Sequence, residues 1–256
     1  MDQRTRTEKI LERVEAAKLV KLSELSTEFG VSMPTIRKDI DELQKMGRVE
    51  RVHGNVRLRR SQPEFNRRTY EAADVLPTSE QKALIGKKAA DLIESGDSMI
   101  LDCGATTTEL AKNLVDRQNL RVVTNALNIA ILLGQEPSNR VMLTGGIFKA
   151  ETIAVSGEKA STFFEGMFVD KLFLAAGGVS MESGISYPDF IDIHVKRAMI
   201  DAAKTVYLLA DSAKFGRRDF AAFGAMESVD YLITDTGLPT KYAQWLEGMG
   251  IQIIYA

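Results

Sequence analysis

The chain has 256 residues, 45% of them hydrophobic and 27% charged, with a single cysteine. That composition excludes disorder as the main state, and one Cys excludes an intrachain disulfide framework. The net charge of −2 hides an asymmetry: residues 1–68 carry 16 Lys+Arg against 11 Asp+Glu, or +5, and the rest carries 17 against 24, or −7.

Ile10, Leu11 and Val14 share one face of a helix predicted over residues 4–17. Lys18-Leu19-Val20 reads as short and extended. A second helix over 23–29 buries Leu22, Leu25 and Phe29, and Gly30 permits a sharp turn. Ser32 suits an N-cap, Pro34 suits a first turn, and the third helix runs to Met46 and stops at Gly47. Extended pieces over 48–52 and 56–58 flank a turn at His53-Gly54-Asn55. Three helices and a hairpin make a winged helix-turn-helix over residues 1–58. Arg59-Arg60-Ser61-Gln62-Pro63 breaks this pattern, and Pro77-Thr78-Ser79 precedes a new helix, so residues 59–80 read as a linker. Residues 81–256 then alternate. Helices are predicted over 81–94, 106–115 and 127–133, with strands over 98–102, 121–124, 140–144, 171–176, 205–210, 231–234 and 252–255. Continuously apolar strands such as Val206-Tyr207-Leu208-Leu209 suit a parallel sheet covered on both faces. The expected class is α/β, a winged helix-turn-helix followed by a larger, doubly wound α/β sensor domain. The polar start and the lack of any apolar run near ~18 residues lead to the expectation of a cytoplasmic protein with no membrane partner.

A basic module on an acidic body suits a nucleic-acid reader joined to a regulatory or catalytic domain. In the third helix Ile36, Ile40 and Leu43 share the buried face, so Thr35, Arg37 and Lys38 point outward. A helix fits the major groove, where Arg pairs with guanine and Thr meets the thymine methyl. Ser32 and the free N–H groups of the first turn can meet a phosphate, and Pro34 belongs to the same DNA-binding set. The wing offers Arg51, His53, Arg57 and Arg59. A stable surface helix with scattered charge is the competing reading.

Arg6, Ile10, Val14 and Ser32 through Ile40 resemble, in type and spacing, the N-terminal signature of the DeoR family of bacterial transcriptional regulators. The resemblance continues through Asp102-Cys103-Gly104-Ala105-Thr106-Thr107-Thr108, Val123-Thr124-Asn125, Thr144-Gly145-Gly146 and Ala210–Arg217. It covers nearly the whole chain and is nearest to members governing sugar-alcohol or amino-sugar catabolism. One departure is the wing turn, His53-Gly54-Asn55, where the family usually has two glycines. The resemblance implies a repressor, a phosphorylated sugar as effector, and a fold related to ribose-5-phosphate isomerase.

The residues themselves offer a matching site. Asp102, Gly104, Ala105, Thr106 and Thr107 lie between a strand and a helix N-terminus, a recipe for binding a phosphate, although a capped helix after a strand looks the same. Neither a dinucleotide fingerprint nor a P-loop occurs. Thr124, Asn125, Gly145, Gly146, Gly177, Gly178 and Asp211 also follow predicted strands, where ligands of such sheets bind. Lys196-Arg197, read as the start of a later helix, and Lys214 can neutralise a phosphate; Arg217 and Arg218 read as surface charge.

The rival is a sugar-phosphate isomerase-like enzyme fused to a DNA-binding domain. Its base would be Asp102, Glu109, Asp170 or Asp211. The related isomerases carry acidic residues where this chain has Ala175-Ala176-Gly177-Gly178, which favours binding without turnover. Cys103 has no histidine tied to it by motif and reads as a buried thiol. One Cys and two distant His give no metal spacing. The expectation is therefore no enzyme, no metal and no cofactor. The expected partners are double-stranded operator DNA, a phosphorylated sugar, and further copies of the chain as a homodimer or homotetramer.

Overall fold

A computed structural model describes residues 3–46, 48–52, 54–58, 76–224 and 226–256. It divides into two compact units, Met1–Arg68 and Thr69–Ala256. The stop at Gly47, the turn residue His53, and residues 59–75 of the expected linker lie outside the described residues.

The first unit runs α1 (Gln3–Ala17), β1 (Val20–Lys21), α2 (Leu22–Phe29), α3 (Met33–Lys45), β2 (Val49–Val52) and β3 (Asn55–Leu58). The strands form an antiparallel sheet in the order β1-β3-β2. Ile10, Val14, Leu25, Ile36, Ile40, Val49 and Val56 are fully buried in its core. Gly30 closes α2 in the left-handed region at φ 63°, which turns the chain sharply into α3. The Ser32 hydroxyl then accepts the Thr35 N–H at 3.4 Å, and Pro34 sits in the first turn. This is a winged helix-turn-helix.

The second unit opens with α4 (Glu80–Ala90), capped by Ser79. It continues through β4 (Ser98–Leu101), α5 (Ala105–Lys112), β5 (Arg121–Thr124), α6 (Leu127–Leu133) and β6 (Arg140–Leu143). A two-stranded flap follows, β7 (Ile147–Lys149) and β8 (Ala154–Ser156), and then α7 (Glu158–Thr162) and β9 (Val169–Ala175). After β10 (Gly178–Ser180), β11 (Gly184–Tyr187) and α8 (Ile191–Asp201) come β12 (Ala203–Leu209) and β13 (Ala221–Gly224). The chain ends with β14 (Tyr231–Thr234), α9 (Thr240–Gly248) and β15 (Gln252–Tyr255).

Seven strands form one parallel sheet in the order β15-β14-β12-β9-β4-β5-β6. The chain leaves β4 toward β6, then returns to the other side of β4 and proceeds outward from β9. The direction of winding therefore reverses between β4 and β9. Separate apolar clusters cover the two faces, one around Leu172, Val195 and Leu208 and the other around Leu101, Leu110 and Ile129. That double coverage is why the strands are apolar throughout. The predicted strands are all present. The flap, α7, α9 and the antiparallel sheet β10-β11-β13 are additions that the apolar pattern did not announce. Among the described residues no helix is long and apolar enough to cross a membrane.

Candidate nucleic-acid interface and ligand site

Helix α3 buries Ile36, Ile40 and Leu43 and leaves Ser32, Pro34, Arg37 and Lys38 exposed, with Thr35 half-buried. The helix is held in place by a pair that hydrophobic periodicity could not show. Arg6 of α1 meets Asp39 of α3 through Nε–Oδ2 at 2.6 Å and Nη2–Oδ1 at 3.1 Å, both residues being buried. A fork-to-fork contact of this kind sets orientation as well as distance.

Two of the wing arginines, Arg51 and Arg57, are engaged within their own unit. Arg51 donates to the Arg37 carbonyl at 2.6 Å and pairs with Asp41 at 2.7 Å, tying β2 to α3. Arg57 pairs with Glu50 at 2.6 Å across the hairpin. His53 and Arg59 fall outside the described residues.

In the second unit Asp102 follows β4 at the point where winding reverses, the position at which such sheets bind ligands. It is fully buried. Its Oδ1 accepts the Cys103 N–H at 2.7 Å and the Lys196 ammonium, and its Oδ2 accepts the Ala175 N–H at the end of β9, at 3.0 Å. The carboxylate thus ties β4, β9 and α8 together. The reading of Lys196-Arg197 as a helix start is corrected: α8 begins at Ile191, so Lys196 lies mid-helix and points inward. Its Nζ is 3.5 Å from Cys103 Sγ and 4.9 Å from the centre of the Tyr187 ring. Burial alone would lower the lysine pKa. The adjoining Asp102, with Cys103 and Tyr187 beside it, more than reverses this and holds the ammonium above its ordinary value. Burial pushes the Cys103 thiol up to about 11 and the Tyr187 phenol well above its usual value.

Gly104 has φ 149°, and a Cβ there would sit 3.1 Å from that of Ala175. The backbone angle therefore favours glycine, and the approach of β9 would leave a Cβ there tightly packed. Thr107 and Thr108 donate their hydroxyls to the Gly104 carbonyl at 3.0 and 2.7 Å, which closes the first turn of α5 on itself. Thr106 is buried and Ala105 half-buried in the same turn. Thr124 Oγ1 accepts the Ala126 N–H, shaping the turn after β5. Asn125 donates to the Val155 carbonyl of the flap at 3.2 Å, while its buried Oδ1 has no hydrogen-bond partner among the described residues. The flap is also pinned to α8: Lys149 bonds Asp189 and Asp192 at 2.8 Å each, and Ser156 bonds Asp192 at 2.5 Å.

The remaining strand-end residues divide. Gly145 is exposed with open space around it. A side chain on Gly146 would meet the Ser156 carbonyl at 2.5 Å, so this glycine lets the chain pass the flap. Side chains on Gly177 and Gly178 would strike the Asp219 carboxylate and the Arg217 carbonyl, so close packing accounts for both. Asp211 and Lys214 line a separate cavity of about 780 Å³ with Ser79, Lys82, Arg217 and Asp235. Burial lowers the Lys214 pKa, and Lys82 and Arg217 add to the effect. Asp211 Oδ1 is buried there with no hydrogen-bond partner among the described residues.

Two of the four candidate bases lie elsewhere. Asp170 opens β9 at the opposite end of the sheet, where hydrogen bonds from Ser98 hold its carboxyl below the usual range. Glu109 pairs with Lys112 at 2.9 Å on α5. Among the described residues no group of three His, Cys, Asp or Glu side chains could hold a metal ion.

The comparisons agree with this division of labour. Residues 6–62 match the model of the DeoR-like helix-turn-helix domain, and residues 78–236 match that of the DeoR C terminal sensor domain. The chain is 32% identical over 249 residues to an uncharacterized HTH-type transcriptional regulator, YulB, of Bacillus subtilis, covering 97% of this chain and 95% of that one. It is 31% identical over 256 residues to the glycerol-3-phosphate regulon repressor of Escherichia coli, covering 99% of each. Ribose 5 phosphate isomerase A of Neisseria gonorrhoeae resembles it at 14% identity and a TM-score of 0.39, over 54% of this chain and 53% of that one. A likeness that slight carries no functional argument. With both domain models matched in order and full-length relatives above 30% identity, the chain belongs to the DeoR family of transcriptional regulators.

Proposed function

We propose that this cytoplasmic chain is a repressor of a sugar or sugar-alcohol catabolic operon. In this reading residues 1–58 bind double-stranded operator DNA, residues 59–80 link, and residues 81–256 bind a phosphorylated sugar or polyol that alters DNA affinity. Ser32, Pro34, Thr35, Arg37 and Lys38 are the DNA-facing set on α3. Arg51 and Arg57 shape the wing, and their backbone contacts would come through partly neutralised guanidinium groups.

The observation that carries the effector reading is the loop Asp102–Thr107, organised at the switch point and opening onto the N-terminus of α5. Helix N-terminal N–H groups favour a phosphate. Asp102 and Lys196 act as positioning residues, since each already holds the other. Asn125 Oδ1, buried and unpartnered among the described residues, is a ready acceptor for a ligand hydroxyl. Asp211 and Lys214 offer a second set of contacts at the neighbouring strand ends. Turnover has little support at the loop, where Asp102 is occupied by its three donors and Asp170 and Glu109 lie outside; of the four candidate bases this leaves Asp211, in the cavity with Lys214. The relatives named above are regulators.

The test is an operator titration with a panel of phosphorylated sugars and polyols. Glycerol 3-phosphate comes first because of the Escherichia coli relative's name. A tenfold shift in affinity by one compound, about 1.4 kcal/mol, supports the reading and names the effector. If none shifts it, the sensor assignment fails, and turnover assays on the same panel then test the isomerase alternative.

A further inference from the structure

Strand β6 ends the seven-stranded sheet, and its outer edge carries an apolar surface that neither DNA nor a phosphorylated ligand explains. Met142 and Leu143 on β6, and Ile147 and Phe148 on the flap five residues on, are exposed, the last two by 64% and 53%. Ile131 of α6, which packs on β6, is exposed as well. At ~150–200 Å² per large apolar side chain, these five leave about 400 Å² of apolar surface open in all, shared by the two-residue strand period between the two faces that flank the edge. That is about half of the ~800 Å² one partner buries in a standard interface, and the apolar share of such interfaces is about 56–65%.

The strand is short and carries one charge, Arg140 at its start, but its remaining guards against edge pairing are few. Arg140-Val141-Met142-Leu143 contains no proline and no lysine, and its ladder with β5 runs without a bulge. The Arg140 and Thr144 N–H groups donate inward to Leu120 and Thr124 carbonyls. By the two-residue period of a strand, those of Val141 and Leu143 point to the open edge.

We infer that this edge is the contact between two copies of the chain, paired antiparallel across a two-fold axis at Met142. In that register Val141 of one copy lies opposite Leu143 of the other, so the outward backbone groups satisfy each other. Arg140, the one charge on the strand, lies opposite Thr144, so no like charges meet. A self-complementary strand is what an isologous contact requires. A second copy also fits the first unit, because one winged helix reads only a short half-site. The inference goes beyond the reading of either ligand site, and its readouts need no DNA and no effector.

Sedimentation of the full-length chain across a micromolar range tests it. The unaltered chain is expected to dimerise or assemble further. Ile147→Glu/Phe148→Glu is expected to weaken that association at least ~100-fold while keeping the far-ultraviolet spectrum and urea midpoint. Phe220→Glu, at a site 87% exposed in a different loop, serves as the control and leaves association unchanged. Met142→Cys offers a second route, independent of charge insertion. Two residues directly opposite at ~4.5–5.5 Å lie within disulfide range, so mild oxidation is expected to link two copies covalently, which Phe220→Cys does not allow. A chain that sediments as a monomer, a double variant that associates as well as the original, or a Met142→Cys protein that links no better than Phe220→Cys would each overturn the inference.

Discussion

Lys196 is the residue on which the α/β unit's chemistry turns. It is 2% exposed and pairs with a carboxylate that is fully buried. Removing one member of such a pair leaves the other charge uncompensated, so Lys196→Met is expected to cost ~3–5 kcal/mol in urea unfolding. Adding Asp102→Asn should restore part of that loss, because the stranded charge is then gone. The raised Cys103 pKa makes a second prediction at this scale. With the thiol at about 11, little thiolate exists near neutral pH. Alkylation of the folded protein should therefore be slow at pH 8, accelerate as pH rises toward 11, and be fast at pH 8 only in denaturant. In the first unit, Arg37→Ala should weaken operator binding by ~1–3 kcal/mol if the side chain reads a base. Unchanged anisotropy titrations would remove it from the interface.

Helix α3 shows how much an element owes to its own residues. Its cap, its proline and its buried face are all local, and each could be read from Ser32 through Leu43. Ser32→Ala is expected to cost ~1 kcal/mol in stability, the usual loss for a cap hydroxyl. Helix α8 shows the opposite in its interior. Its start is local as well, the Asp189 carboxylate accepting the Ile191 N–H at 3.1 Å, but its inward lysine breaks the rule that lysines face water. Only Asp102, far away in sequence, makes that orientation favourable. The Gly104 turn lies between these cases. Its glycine was legible as a close approach, but the Ala175 Cβ that approaches it belongs to β9. Gly104→Ala should lower stability and remove the effector response together, as measured by thermal melting and by operator titration with the active compound.

At the scale of the whole molecule, the uneven charge should govern association with DNA. A module carrying +5 displaces counterions from the duplex, so operator affinity should fall steeply and linearly on a log–log salt plot. A flat plot would contradict phosphate contacts. The acidic remainder contributes no such slope, so the isolated residues 81–256 should show none. The reversal of winding between β4 and β9 is the other whole-molecule property. It collects the Asp102 loop, the end of β9 and Lys196 at one place, and it leaves β6 with an open edge.

The amino-acid sequence by itself determined the two-part organisation, the winged helix-turn-helix, the order of the parallel strands' segments and the loop after β4. Each of these rests on short-range signals: turn residues, caps, apolar period and charge along the chain. The tertiary structure alone decided which distant groups meet. Arg6 lies 33 residues from Asp39, and Asp102 lies 94 residues from Lys196. It also brought Asp211 and Lys214 into one cavity with Ser79, Lys82 and Asp235, and it packed Gly177 and Gly178 against Asp219 and Arg217. The physical reason is that a buried charge is tolerated only where its partner arrives, and strand order, which no local pattern encodes, decides what arrives.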